Sequence, residues 1–272
     1  MGHAGPVSAL PNAVIDLPAF VALAAYAVAA LPGARTERIA GVALIVGWLA
    51  HALALALELA GVGRAVPGVR FGFAPALSIT LWLVLVVYGV ESRRVPITRV
   101  RRVLAACGVT AVALALAFPG ETFLQHTPWA PLHWLLGIAS YGLFGAAVLH
   151  AGMLGAADRQ MRHHAAPDPP GAGGVPLLRL ERLTFQFVRA GFVALTATLV
   201  IGWWFTEVWQ WDHKNVFSIL AWLVFGGLLA GRALFGWRGR RATRWVYAGA
   251  ALLLLAYVGS RFVLEVLLHR PI

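Results

Sequence analysis

Apolar stretches of about 20 residues recur along the whole chain, and they restrict its fold more than any other feature. An α-helix of that length spans a hydrocarbon core about 30 Å thick. Only 12% of the 272 residues are charged and 60% are hydrophobic, whereas about 25% of the residues of a soluble domain are charged. Because the chain cannot supply a soluble protein's charged surface, the sequence predicts an integral membrane protein surrounded by lipid.

The apolar stretches predict an all-α, polytopic membrane helix bundle with about eight transmembrane helices. Continuous runs of this length favour helices over the short alternating strands of membrane barrels. The chain should form one transmembrane domain over 1–272, with helices one to five in 14–156 and helices six to eight in 186–267. A Pro- and Gly-rich cytoplasmic linker at 157–185 should separate them. The predicted spans are 14–32, 39–61, 71–90, 101–118, 131–154, 186–206, 215–234 and 244–267.

The positive charges predict how the chain is oriented. Of the 22 Lys and Arg residues, 17 lie in or beside the loops that follow the first, third, fifth and seventh spans. Positively charged loops face the cytoplasm, so both termini should lie outside. The same placement explains the net charge of +11 without a nucleic-acid partner. The N-terminus has no basic segment typical of a cleaved signal, so we expect the first span to remain in place.

Cysteine content and missing motifs limit the chemistry. Cys107 is the one cysteine in the sequence and lies in an apolar run, which excludes a thiol–disulfide carrier and a covalent c-type haem attachment motif within this chain. The sequence contains no HExxH, GxSxG or P-loop motif, and its 11 acidic residues are scattered. An enzyme in its own right is therefore the weakest interpretation.

A Trp-rich connection on the predicted outer side stands out. Four tryptophans fall within nine residues and are followed by three polar residues: Trp203, Trp204, Trp209 and Trp211, then Asp212, His213 and Lys214. One interpretation is an aromatic belt at the membrane interface. The other is a surface for a large planar ligand, whose carboxylates would meet the polar residues. Both interpretations remain open at this point.

Several histidines lie in or beside the predicted spans. His133 opens the fifth span from the outer side and His269 ends the last span on that side, while His51 lies within the second span. Glu58 follows His51 by seven residues and so falls on the same helical face. Neutral imidazole can ligate haem iron. The alternative for each of them is a histidine that serves packing or the interface.

The order of these features resembles the CcsA/CcmC family of cytochrome c assembly proteins. The Trp-rich signature of that family is similar to residues 209–214 and the Ser-Ile-Leu-Ala-Trp segment that follows. A second similarity is Gly-Trp-Arg-Gly-Arg-Arg at 236–241, at the next cytoplasmic turn. His133 and its helix up to Phe144 resemble the family's outer histidine and following helix. The segment 256–265 and the surroundings of His51 are closest to the YpjD/HemX-like branch.

The resemblance implies a bacterial inner-membrane protein that handles haem, as a carrier or chaperone, with haem b as its cofactor. Trp209, Trp211 and Asp212 match the haem-presenting segment, which also contains His213. His133 matches the first flanking histidine, and His269 lies near the position of the second. With His51 added from within the second span, the candidate ligands of the haem iron are His133, His51 and His269.

The sequence also departs from the family's pattern. His213 stands where the family usually has a proline, and the inner end of helix seven has Ala230 or Arg232 in place of a histidine. A complete two-site path for haem export is therefore not expected. Two other functions stay open. One is an accessory or regulatory subunit that stabilises a membrane protein partner without a cofactor. The other is a small-molecule or ion transporter that uses His51 and Glu58 together with Arg261 and Glu265, which are four residues apart in the last span and should form an ion pair.

Overall fold

A computed structural model describes residues 12–32, 37–62, 69–92, 98–123, 129–162, 177–205, 211–263 and 266. Its helices are α1 (Asn12–Ala30), α2 (Glu37–Leu59), α3 (Phe73–Ser92), α4 (Thr98–Ala117), α5 (Ala130–Arg162), α6 (Leu177–Phe205), α7 (His213–Phe235) and α8 (Gly239–Leu254). A π-helical segment, Leu255–Gly259, and a short α9, Ser260–Phe262, continue α8 without interruption. Two short strands, β1 (Val69–Phe71) and β2 (Glu121–Phe123), complete the described elements.

The predicted all-α polytopic bundle is confirmed. Seven of the described helical segments are long and apolar enough to cross a membrane: α2 to α7, and α8 with its continuation. The apolar part of α1 is shorter and covers Ile15–Ala30. The whole of α1 has 19 residues, which corresponds to about 28 Å at the helical rise of 1.5 Å per residue. The orientation of the termini stays a prediction.

Two helices extend beyond their predicted spans into the linker predicted at 157–185. α5 ends at Arg162 and α6 begins at Leu177, so residues 157–162 and 177–185 are helical. The hydropathy pattern could not reveal these ends because they carry Arg, Gln and Glu, which are good helix formers but not apolar. Residues 163–176 lie outside the described part of the chain.

An antiparallel pairing of β1 with β2 connects the segment before α3 to the segment after α4. Val69 pairs with Phe123 and Phe71 with Glu121. Gly120 precedes β2 with a φ of 77°, and a Cβ at this position would lie 2.5 Å from the carbonyl oxygen of Phe71. The close approach therefore requires glycine. The sequence did not predict these strands, since three residues are too few to show a period.

The chain divides into two compact units. The first contains α1, α2, the two strands, α4 and the start of α3, up to Ser78. Its centre is the fully buried ring of Tyr26, which lies between two glycines: a Cβ on Gly47 or on Gly108 would come within 2.8 Å of that ring. Small residues let helix backbones approach closely in membrane bundles, so these glycines set the packing of α1 against α2 and α4.

The second unit contains α3 from Ile79 onward together with α5 to α9. At its centre the rings of Phe144 and Phe225 stack with centroids 3.8 Å apart. Glycines again provide the space, because Gly191 lies against Phe144 and Gly249 against Phe225. The resulting core joins α5, α6, α7 and α8.

The Gly-Trp-Arg-Gly-Arg-Arg turn at 236–241 has a structural role between α7 and α8. Gly236 ends α7 in the left-handed conformation, with a φ of 63°. Trp237 folds back onto Gly231, where no Cβ would fit, and the guanidinium of Arg241 lies 4.0 Å from the centre of a Trp237 ring. The motif at 236–241, which is part of the family resemblance, thus stabilises the turn between α7 and α8.

Candidate functional site

His133 lies at the end of the second unit where α5 begins and α6 ends. Its Nδ1 is 3.0 Å from the carbonyl oxygen of Thr198 on α6. A carbonyl oxygen can only accept, so Nδ1 must be the protonated nitrogen and donate this bond. In the neutral ring the lone pair is then on Nε2, and a hydrogen bond of this kind fixes the orientation of histidines that ligate metals.

Gly202, on the next turn of α6 after Thr198, makes the position of His133 possible. A Cβ added to Gly202 would lie 2.9 Å from Cε1 of His133 and 3.4 Å from its Nδ1. Only glycine therefore lets the α6 backbone approach this ring without displacing it. The role of Gly202 could not be predicted from the sequence, because nothing in the local pattern relates it to a residue 69 positions earlier.

Two basic side chains, Lys214 and Arg261, lie at the end of the second unit that carries His133. Lys214, on the first turn of α7, lies within electrostatic range of His133 and also of Asp212 and Arg261. Arg261 was expected to pair with Glu265, which lies outside the described residues. Cationic side chains at this end of the unit favour a ligand that carries carboxylates. The charge distribution of the sequence already predicts both Lys214 and Arg261 on the outer side, but it does not relate them to His133.

The Trp-rich segment provides exposed aromatic faces at the same end of the second unit. Trp203 and Trp204 end α6 with 66% and 81% of their surface exposed, and Trp211 precedes α7 with 75% exposed. This exposure suits either a belt at the headgroups or a surface for a planar ligand. Of the other predicted site residues, His213 is exposed as the first residue of α7. Trp209 and His269 lie outside the described residues.

Asp212 is the N-cap of α7. Its side chain accepts a hydrogen bond of 2.8 Å from the backbone N–H of Asn215. An N-cap of this kind satisfies one of the open donors at the start of a helix. Asp212 therefore fixes where α7 starts, and with it the positions of His213 and Lys214.

His51 belongs to the first unit and is fully enclosed. Its Nδ1 is 3.2 Å from the hydroxyl of Tyr26, and its Nε2 is 2.7 Å from the hydroxyl of Ser78. Both ring nitrogens are thus engaged by side chains of the same unit. Ligation of iron by His51 would require one of these two bonds to break.

His150 forms a buried pair with Glu91 that the sequence did not predict. Its Nε2 is 2.6 Å from a carboxylate oxygen of Glu91, and its Nδ1 is 2.7 Å from the carbonyl oxygen of Ala146. The ring also stacks on Phe187, with centroids 5.1 Å apart. The pair joins α3 to α5 and gives His150 a structural role.

The part of the chain that the structure describes contains no group of three His, Cys, Asp or Glu side chains that could hold a metal ion. A bare metal ion usually needs three or four protein ligands. Haem iron needs only one or two, because the macrocycle provides the others. His133, oriented at the start of α5, is a residue that could serve as one ligand of a haem iron.

Comparison with known proteins identifies similar chains. The family described as Cytochrome C assembly protein matches residues 14–268. The chain is 30% identical over 265 residues to the inner membrane protein YpjD of Escherichia coli (strain K12), which covers 92% of this chain and 98% of that protein. Over 129 residues it is 29% identical to the cytochrome c biogenesis protein CcsA of Synechococcus sp. (strain JA-3-3Ab), covering 43% of this chain and 36% of the relative.

A CcsA from Prochlorococcus marinus subsp. pastoris is 35% identical over 89 residues, which is 31% of this chain and 28% of that protein. The similarity to CcsA is thus partial, whereas the similarity to YpjD extends over nearly the full length of both chains. No solved structure matches.

Proposed function

The chain belongs to the cytochrome c assembly protein family, and on this basis we propose that it binds haem b as a carrier or chaperone. Its apolar helices and its similarity to an inner membrane protein make it a multi-pass protein of the inner membrane. We propose the end of the second unit that bears His133 as the haem site.

The observation that carries this proposal is the hydrogen bond from His133 to the Thr198 carbonyl. It keeps the proton on Nδ1, so that Nε2 would be the nitrogen that ligates iron, and it fixes the direction of the ring. Lys214 and Arg261 would meet the two propionate groups, and the faces of exposed tryptophans would cover the flat macrocycle. Bound haem would supply the iron porphyrin that a cytochrome requires.

His133 alone is proposed as an iron ligand among the described residues. His51 is left out because both of its nitrogens are engaged by hydroxyls. His269 remains a candidate for a second ligand, and Trp209 a candidate for the haem-presenting segment, on the family resemblance alone.

We propose a carrier that delivers haem to another protein. Covalent attachment of haem to a cytochrome forms bonds to acceptor thiols, and the sequence has a single cysteine, Cys107, in the middle of α4. The acceptor must therefore come from another protein, which makes a membrane or outer-face partner part of this proposal.

Haem titration tests the proposed site. Detergent-purified wild type should develop a Soret band that saturates at one haem per chain. His133→Ala should bind haem much more weakly, while His163→Ala, a substitution in the predicted cytoplasmic linker, should behave like wild type. If the wild-type protein develops no saturable Soret band, the haem proposal is refuted. The alternative function, an accessory subunit without a cofactor, would then be favoured.

The outer-face location of the site is also proposed, on the arginine distribution. It can be tested in a Cys107→Ser background with a membrane-impermeant maleimide. Thr206→Cys, in the Trp-rich connection, should react in intact cells, and Arg240→Cys should react only after permeabilisation. The opposite labelling pattern would place the tryptophans on the cytoplasmic side.

A further inference from the structure

Two arginines and one glutamate meet where α2 and α4 begin. Nη1 of Arg101 on α4 donates a hydrogen bond of 2.8 Å to Oε2 of Glu37, the first residue of α2. Nη2 of Arg102 donates one of 3.0 Å to the other carboxylate oxygen, Oε1. A single carboxylate thus holds two guanidinium groups at one point of the first unit. Two positive charges and one negative charge leave this point with a net formal charge of +1.

Arg101 is buried, with 7% of its surface exposed. Its Nε and Nη2 are enclosed and have no hydrogen-bond acceptor among the described residues, and the same holds for Nε of Arg102. Buried donors without an acceptor are rare and costly, and more so when they belong to a charged group. These donors therefore favour a ligand that brings acceptor oxygens and negative charge to this point.

The general preference of arginines for the cytoplasmic side does not account for the burial of Arg101. That preference concerns charges in loops and at helix ends, which remain in contact with water. Arg38 and Arg99 fit it, because both are exposed on the first turns of α2 and α4. The ion pair with Glu37 does not account for it either, since one carboxylate compensates only one of the two guanidinium charges.

The backbone adds to the positive potential at this point. α2 begins at Glu37 and α4 at Thr98, three residues before Arg101, so both helices present their N-terminal ends here. The first N–H groups of a helix have no acceptor within it, and its dipole is positive at this end. Such ends bind phosphate groups, and guanidinium groups pair with phosphate oxygens through several donors. The arrangement therefore favours a phosphate, whose oxygens can serve several donors at once.

Arg102 is the residue of this site that a ligand reaches first. Its side chain is 35% exposed, whereas that of Arg101 is 9% exposed. Among the described residues Arg102 bonds to Glu37 through Nη2, which leaves its Nη1 for a ligand. Arg101 then lies beneath Arg102 as a buried positive charge.

An apolar face of α4 favours a phospholipid over a free phosphate. Ala106, Val109 and Ala113 follow Arg102 by four, seven and eleven residues, so they lie on the same helical face, and they are exposed or half-exposed. From Arg102 to Ala113 the helix rises about 16 Å, which is about half of a hydrocarbon core roughly 30 Å thick. The face is thus long enough for one acyl chain of the adjacent leaflet, and a free phosphate would use none of it.

We propose that the starts of α2 and α4 bind an anionic phospholipid. Its phosphodiester accepts hydrogen bonds from Arg102 and Arg101, and an acyl chain lies along the face formed by Ala106, Val109 and Ala113. Basic sites between membrane helices bind lipid headgroups in this manner. The lipid compensates the excess positive charge and ties α2 to α4, so the stability of the first unit depends on the anionic lipid content of the membrane. The site is independent of the haem proposal, which concerns the second unit.

Dioleoyl phosphatidylglycerol is a suitable probe because it joins one anionic phosphodiester to two acyl chains. The midpoint of thermal unfolding of the delipidated, detergent-purified full chain is measured against lipid concentration. Phosphatidylglycerol should raise the midpoint saturably. Dioleoyl phosphatidylcholine, which has the same chains and no net charge, should raise it much less. Inorganic phosphate at the same concentration should leave it unchanged.

Variants separate this site from general surface charge. Arg102→Gln and Arg101→Lys should each weaken phosphatidylglycerol binding about tenfold or more, because each removes guanidinium donors to the phosphate. Glu37→Gln removes the competing negative charge and should strengthen lipid binding, although it weakens the ion pairs of the fold. Arg182→Gln is the matched control, since Arg182 is an exposed arginine of α6 in the second unit, and it should bind the lipid as wild type does.

Four results would overturn the proposal. They are no saturable shift with phosphatidylglycerol, an equal shift with phosphatidylcholine or inorganic phosphate, an undiminished shift in both arginine variants of α4, or an equal loss in Arg182→Gln. Each variant's midpoint without lipid is also recorded, so loss of folding is distinguished from loss of binding. Arg102→Gln should keep the haem titration of wild type, so failure of the lipid site and failure of the proposed function can be told apart.

Discussion

Replacing Gly202 by alanine places a methyl group against the ring of His133. The new carbon would lie 2.9 Å from Cε1, whereas carbon atoms in contact are at least about 3.5 Å apart, so the ring must shift by about 0.6 Å. The hydrogen bond from Nδ1 to the Thr198 carbonyl is 3.0 Å long, and a shift of this size along it would exceed the range of a hydrogen bond. The substitution therefore releases His133 without changing its chemistry.

The expected effect follows from the value of that hydrogen bond. A net contribution of about 0.5–1.5 kcal/mol corresponds to haem binding weakened roughly 2- to 13-fold. The assay is haem titration of the purified protein, followed at the Soret band. Gly137→Ala is the matched control, because a Cβ there meets only the Thr198 methyl group, at 3.7 Å, and should leave haem affinity unchanged.

Two results would refute this reasoning. If Gly202→Ala binds haem as tightly as wild type while remaining folded, the position of His133 does not depend on α6. If Gly137→Ala weakens haem binding to the same degree, the effect belongs to the α5–α6 contact in general and not to His133.

Three further predictions concern stability, measured by unfolding in mixed detergent and SDS. Gly108→Ala should destabilise by about 1–3 kcal/mol, because its methyl group overlaps a buried tyrosine ring, whereas Gly41→Ala meets no atom within 4 Å and should be neutral or stabilising. His150→Ala should cost about 1.5–3 kcal/mol by removing the partner of Glu91. Asp212→Ala should cost about 1 kcal/mol through loss of the α7 cap, and Asp212→Asn much less. The glycine prediction would be contradicted if Gly108→Ala and Gly41→Ala were equally stable. The other two would be contradicted if His150→Ala were as stable as wild type, or if Asp212→Ala were as stable as Asp212→Asn.

The helices could be predicted from the sequence because lipid demands long apolar runs with internal hydrogen bonds. Their polar ends could not, since the start of α6 carries Arg179, Glu181 and Arg182 and is helical without being apolar. Arg232 on α7 lies 2.7 Å from Glu181, so tertiary contact as well as helix propensity supports this extension. Hydropathy does not register such contacts.

Part of the candidate site could also be predicted from the sequence. His133 was recognisable because an ionisable residue at the start of a span is unusual, and the tryptophans because of their density. The residues that position the His133 ring could not be recognised, since Thr198 contributes a backbone carbonyl and Gly202 contributes only space. The enclosure of His51 by Tyr26 and Ser78 likewise depends on how α1, α2 and the start of α3 pack.

Chemical rescue of His133→Gly tests the haem proposal most directly. The variant lacks the imidazole but leaves room for one from solution. If His133 ligates the iron, the variant should bind haem weakly with a displaced Soret band, and added imidazole should restore the wild-type position saturably. A wild-type Soret band in His133→Gly without imidazole would contradict the assignment of His133 as the iron ligand.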